Sequence, residues 1–249
     1  MTYNIDRYHI VGEAARRSII DTKAPLRSRP AVQARGEDTR RRILEAALHL
    51  FAAHGYEGTS TRQIAEGAVV NLPAIQYYFG NKEGLYRAII HDITADTDRH
   101  MSPVLERVHA ALEAAATPRE ELIALLGEML ETFVVLVTSG PHVASRRLIF
   151  ARAEIEESPG LDILHENGMQ QIFNPCLALV SRLHGKPGTD PEMTVRTLAL
   201  IGQVVIFCNN HKRPVLPGGG LDTESVRLMR LVVREQTEAV CRSIATSAK

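Results

Sequence analysis

Between residues 38 and 95 the apolar positions follow an uncommon rhythm: one longer helix, two very short ones, then another long one. Ile43, Ala46, Ala47, Leu50 and Phe51 recur at i, i+3, i+4, i+7 and i+8, the spacing of one apolar helix face. Asp38 or Thr39 suits the start of that helix as a cap, and Gly55 suits its end. Residues 61–67 follow with Ile64 and Ala65 facing inward, then a break at 68–71, then a second short segment over 72–79. A longer helix begins near Lys82 and carries Leu85, Ile89 and Ile90. A supporting helix, a tight turn and a second helix with exposed leading residues are what a helix-turn-helix needs to reach base edges in the major groove.

Beyond residue 95 the pattern is of long helices over 103–115, 119–138, 142–156, 160–184, 190–211 and 222–245, punctuated by Pro or Gly. No alternating strand pattern of useful length interrupts them. The predicted fold is therefore all-α: an N-terminal three-helix DNA-binding head with a helix-turn-helix, joined to a larger C-terminal helical bundle. The expected division is a flexible basic extension over 1–36, a DNA-binding domain over 37–90, and an effector-binding and dimerisation domain over 91–249. A chain of 249 residues with 45% hydrophobic content can bury cores of that size. Lys+Arg and Asp+Glu balance at 29 each, so net charge says nothing about nucleic acid; only its distribution could. The first 36 residues are basic, which fits either a solvated tail or an arm adding phosphate contacts.

The chemistry of residues 60–82 fits DNA. Ser60 can cap the supporting helix, leaving Thr61 for a phosphate and Arg62 for a phosphate or the O6/N7 edge of guanine. Asn71 can cap the second helix, whose leading residues are then Leu72, Pro73 and Ala74, apolar groups suited to thymine methyls. Gln76 can read adenine, the phenols of Tyr77 and Tyr78 can reach phosphate oxygens, and Lys82 adds a cation beside them. On composition alone, a plain helical subdomain with surface tyrosines fits the same stretch.

The run "TRRRILEAALHLFAAHGYEGTSTRQIA" followed by "YYFGNKEGLYRAI" resembles the N-terminal domain of the tetracycline-repressor (TetR) family over about fifty residues. "VVNLPAIQYYFGNKEGLYRA", "RRLIFARAEIEESPGLDIL" and "LALIGQVVIFCNNHKRPVL" resemble its CecR-type branch. The resemblance implies a ligand-responsive regulator, a homodimeric repressor released from a palindromic double-stranded operator by a small-molecule effector. It also implies phosphate contacts by Thr61, Tyr77, Tyr78 and Lys82, and base reading by Arg62, Leu72, Pro73 and Ala74. The sequence departs from the family at Val69, where Gly is usual in the turn, at Tyr78, where His is common, and at Gln76, where Tyr is common. Val69 poses a choice: the turn avoids positive φ, or it absorbs strain.

Effector residues are less legible. Met129, Phe133, Gln203, Phe207 and His211 lie on helices that could line a pocket, although helical core explains each singly. Arg146 and Arg147, beside Phe150, can hold an anionic effector or form an ion pair with Glu154 or Glu156. The late helices, 194–207 and 226–244, suit a dimer interface or burial within one subunit. No histidine or cysteine spacing suggests a metal, and no cofactor loop is present. Cys176, Cys208 and Cys241 read as buried reduced thiols, and with no signal peptide or membrane span the expected location is cytoplasmic, with no membrane partner. No nucleophile–base pair supports an enzyme. A helical carrier or an effector-free architectural DNA binder are the rival readings.

Overall fold

Only helices occur among the residues that the computed structural model describes, 29–207 and 222–243. They are α1 (Arg29–His54), α2 (Thr61–Ala68), α3 (Leu72–Phe79), α4 (Lys82–Glu113), α5 (Arg119–Thr138), α6 (Val143–Glu156), α7 (Leu161–Leu164), α8 (Gln170–His184), α9 (Pro191–Val205) and α10 (Thr223–Ser243). A π-helical turn, His165–Met169, joins α7 to α8. Residues 38–249 form one contact unit; of residues 1–37 only the start of α1 is described, so most of the expected extension lies outside the described residues.

Two helices run longer than the sequence pattern suggested. α1 begins at Arg29 rather than near Asp38, and Asp38 pairs with Arg41 one turn on (2.6 Å) instead of acting as a cap. Gly36 lies inside this helix, because a lone interior glycine costs only about 1 kcal/mol. α4 runs unbroken from Lys82 to Glu113, joining the segment near Lys82 to the predicted 103–115. Pro103 sits inside it on an exposed position, while its neighbours Met101 and Val104 are buried. Burial on both sides holds the helix through the one hydrogen bond that proline removes.

Two apolar clusters result. The first gathers Ile43, Phe51, Ile64, Ile75, Leu85 and Ile90 from α1–α4, and takes in Ile149 and Ala153 from α6. Tyr86 lies fully buried in it, edge-on to Phe51 (5.0 Å between centroids) and to Tyr56 (5.1 Å). The second is centred on α5, whose Leu122, Ile123, Leu126, Met129, Leu130 and Val134 are buried against α4, α8, α9 and α10. Being apolar nearly all round, α5 is the central helix. Its one buried carboxylate, Glu131, meets Arg230 (3.1 Å) and Arg234, both from α10. Arg119 donates to the carbonyl oxygens of Leu183 (2.6 Å) and Cys241 (2.7 Å), satisfying orphan acceptors near the ends of α8 and α10.

Candidate DNA-reading head and ligand cavity

Local chemistry sets the head. Ser60 and Gln63 form a reciprocal capping box at the start of α2: Gln63 N–H donates to Ser60 Oγ (3.3 Å), and Ser60 N–H donates to Gln63 Oε1 (2.8 Å). Asn71 caps α3 by accepting from Ala74 N–H (3.2 Å), and Asn81 caps α4 by accepting from Gly84 N–H (2.8 Å). The turn between α2 and α3 closes through Val70 N–H to Ala65 O (3.0 Å), with Val69 in the left-handed region at φ 53°, ψ 52°. The valine thus absorbs strain rather than avoiding positive φ, since a β-branched residue is poorly suited to that region.

Thr61, Leu72, Pro73, Gln76 and Lys82 border one shallow depression, so the first turns of α2, α3 and α4 converge. Helix starts present backbone N–H groups and a positive dipole end, which suits phosphate oxygens. Arg62, Leu72, Pro73 and Gln76 are exposed, and Tyr77 is the most exposed aromatic among the described residues, at 82%. Tyr78 is half-buried, edge-on to Tyr77 (4.9 Å), and Ala74 is half-buried against the first cluster. Lys82 Nζ lies 4.2 Å above the Tyr56 ring, which orients its ammonium. Asn71 spends its side-chain oxygen on the cap.

A second feature lies deeper. Phe133 of α5, Asp96 of α4 and Val143, Arg146, Arg147 and Phe150 of α6 border a largely apolar cavity of about 290 Å³. Gly168 and Met169 of the π turn close another side, and π turns recur at functional sites. Of the expected effector residues, Phe133, Arg146, Arg147 and Phe150 are brought together here. Met129 is fully buried in the second cluster, one turn from Phe133, and does not reach the cavity. Gln203 donates to Thr237 Oγ1 (3.1 Å), tying α9 to α10, and the Phe207 side chain packs on the second cluster. His211 lies outside the described residues. Asp96 was missed, although it falls seven residues after Ile89 on an apolar helical register, where a carboxylate is out of place.

The Arg146 guanidinium pairs with Asp96 rather than with Glu156, and the Glu154 side chain lies outside the described residues. Asp96 is buried and also accepts from Arg99 (3.1 Å). Glu156 instead pairs with Arg152 (2.7 Å) and accepts from Tyr56 N–H (3.2 Å). Arg152 donates to the carbonyls of Ala52 (3.1 Å) and Ala53 (3.0 Å) at the end of α1. Gly55 takes φ +77°, which favours glycine, and a Cβ on it would displace the Glu156 carboxylate, 2.6 Å away at Oε1. Further up α6, Ser145 is within hydrogen-bond distance of His49 (3.0 Å), and His142 lies 3.3 Å from Glu45. α6 therefore borders the cavity with one face and grips α1 with the other. Among the described residues no group of three or more His, Cys, Asp or Glu is placed to hold a metal ion, and no single helix is long and apolar enough to cross a membrane.

Residues 43–89 match the family profile of bacterial regulatory proteins of the tetR family, and residues 118–215 match that of the C-terminal domain of the HTH-type transcriptional dual regulator CecR. CecR of Shigella flexneri is 25% identical over 218 residues, covering 87% of this chain and 97% of that one. The regulator YttP of Bacillus subtilis is 34% identical over 135 residues, 54% of this chain and 60% of its own. Among solved structures, the fatty acid degradation regulator FadR from Bacillus halodurans superposes with a TM-score of 0.52 at 17% identity, covering 79% of this chain and 94% of that one, which speaks to fold alone. The chain belongs to the TetR family, in the branch with a CecR-type C-terminal domain. It is a transcriptional regulator, not an enzyme.

Proposed function

We propose that the protein is a homodimeric repressor that leaves a roughly palindromic operator when a small molecule enters the cavity behind α6. In this reading residues 37–90 read DNA in the cytoplasm, and residues 91–249 bind the effector and dimerise. Arg62, Leu72, Pro73 and Ala74 meet base edges; Thr61, Tyr77, Tyr78 and Lys82 meet phosphates; Asn71 sets the start of the reading helix. The observation that carries the proposal is the double duty of α6. Its cavity face (Arg146, Arg147, Phe150) and its head-gripping residues (Ser145, Arg152, Glu156) belong to one rigid element. A ligand that favours one position of α6 shifts the population of head positions, provided it binds the two states unequally.

Dimerisation is supported by an exposed apolar stripe: Val195 and Leu198 on α9 and Ile206 at its C-terminal cap, with Leu228, Leu231 and Val232 on α10. A second copy meeting this stripe about a two-fold axis would bury it and set two heads in successive major grooves. The test is selection of bound fragments from a genomic DNA pool at stated salt, with the mass of the complex measured in parallel. A palindromic consensus held by two subunits is expected. Binding without sequence preference would favour an architectural role, and the absence of DNA binding by ligand-free protein would favour a carrier.

A further inference from the structure

Among the described residues the charges around the cavity do not balance. Three charged side chains of that set border it: Asp96, Arg146 and Arg147. Asp96 is taken by Arg146, so the remaining guanidinium stands in an otherwise apolar wall without a carboxylate partner among the described residues. Among the described residues Arg147 donates through Nη1, to the carbonyl oxygens of Phe207 (3.2 Å) and Val137 (3.5 Å). Its Nε is buried and has no acceptor. The Nε–Nη2 edge of a guanidinium is one that takes a carboxylate through two parallel hydrogen bonds. A buried donor and a cation without a counter-ion both carry a desolvation cost, and an incoming oxyanion relieves both at once.

We infer that the ligand of this cavity is an apolar carboxylic acid, bound as its anion with the carboxylate on Arg147 and its hydrocarbon part against Phe133, Phe150 and Ile172. The inference rests on the proposed effector role of the cavity and names the ligand class. Phe133, Val137, Val143 and Phe150 supply dispersion and area burial but no hydrogen bonds, so they set size rather than identity. Identity comes from the guanidinium: a neutral analogue of the same shape leaves Arg147 Nε unpaired and the charge uncompensated. Arg146 takes no part, because its guanidinium is already committed to the buried carboxylate of Asp96.

The experiment is calorimetric titration of the full chain with a panel of alkyl and aryl monocarboxylates, each beside its primary amide. Carboxylates are expected to bind roughly tenfold or more tighter than their amides, the range that charge-assisted hydrogen bonds supply. Arg147→Gln should abolish that preference while retaining weak binding of both partners, and Arg147→Lys should restore part of it. Ala151→Phe, which fills the cavity, should abolish binding altogether. Thermal melts establish that each variant is folded. Equal binding of acids and amides, blocked by Ala151→Phe, would overturn the anion while leaving the cavity as the effector site. No binding anywhere in the panel, or binding indifferent to Ala151→Phe, would overturn the cavity reading with it.

Discussion

Arg42 of α1 donates to the carbonyl oxygen of Val69 at 2.5 Å, and through Nε and Nη2 to that of Ala68 at 3.1 and 2.8 Å. One side chain thereby ties the first helix to the turn between the two short ones. It satisfies carbonyls at a helix end, where a cation is also favoured by the helix dipole. The turn is thus held by its neighbour in a conformation that its own residue disfavours.

Removing that mismatch is a simple measurement. Val69 is 81% exposed, so its side chain contributes little burial to set against the left-handed strain. Val69→Gly is expected to stabilise the protein by about 1 kcal/mol, the cost of a left-handed L-residue less the extra chain entropy of glycine. Urea unfolding would show it as a higher midpoint at unchanged slope. A lower midpoint would mean that the valine is not strained.

Contacts to bases and to phosphates should separate in two variants. Arg62→Ala should relax preference at one operator position by about 1–3 kcal/mol. Lys82→Ala should weaken binding on all sequences alike and shallow the salt dependence by about one unit of log–log slope. Competition binding on single-base operator variants over a salt series reads both. An unchanged preference removes Arg62 from the bases, and an unchanged slope removes Lys82 from the phosphates.

Arg152 is the expected relay between cavity and head. Arg152→Ala deletes two hydrogen bonds to the end of α1, each partly solvated, together worth about 1–2 kcal/mol. Ligand affinity in the absence of DNA should hold, while the change in operator affinity on adding ligand should shrink several-fold. Titrations of DNA with and without ligand give that ratio; an unaltered ratio would place the relay elsewhere.

Leu198, 54% exposed on α9, tests the dimer. Leu198→Glu would bury an unpaired carboxylate in the subunit interface, and at about 3 kcal/mol or more that weakens self-association by roughly 100-fold. Sedimentation should find monomer where the parent is dimer, and operator affinity should fall with it. A variant that stays dimeric would show that the apolar stripe is not the interface.

Two thiols carry a pH expectation. Burial pushes Cys176 up to about 12 and Cys241 up to about 11. Raised values mean that the folded state keeps protons which the unfolded chain releases. Their contribution to stability is full below the ordinary thiol value and is lost as pH rises through it towards 11–12. At pH 8, with a thiolate fraction at Cys176 of about one in ten thousand, neither should alkylate until the protein unfolds. Iodoacetamide labelling followed by site-resolved mass spectrometry checks this; rapid labelling of folded protein would contradict their burial.

Much of this was legible in the sequence because local chemistry and tertiary contacts agree there. Ser60, Asn71 and Gly55 mark helix ends by capping and by φ, properties of single residues and their near neighbours. The separate helix expected from residue 103 proved to be the second half of α4, since the residues that keep α4 continuous are packed by helices remote in sequence. The cavity was only half readable for the same reason. Phe133 and Phe150 announce apolar faces, but whether such a face meets a void or a neighbour is settled by the packing of several helices at once. Met129, one turn from Phe133, meets neighbours. The choice of Asp96 as the partner of Arg146, fifty residues away, has no local signature beyond a carboxylate on an apolar register.

The unbroken α4 has a mechanical consequence. Its first residue, Lys82, stands in the depression proposed to face DNA, and Asp96, on the same rod, is fastened to α6 at the cavity wall. Fourteen residues of α-helix make an arm of about 21 Å, so a tilt of about 5° pivoting at Asp96 carries Lys82 through nearly 2 Å. Two such arms in a dimer would swing in opposite directions, doubling the change in head spacing. On a duplex whose grooves repeat at a fixed pitch, a displacement of that order takes hydrogen bonds at both half-sites out of reach together.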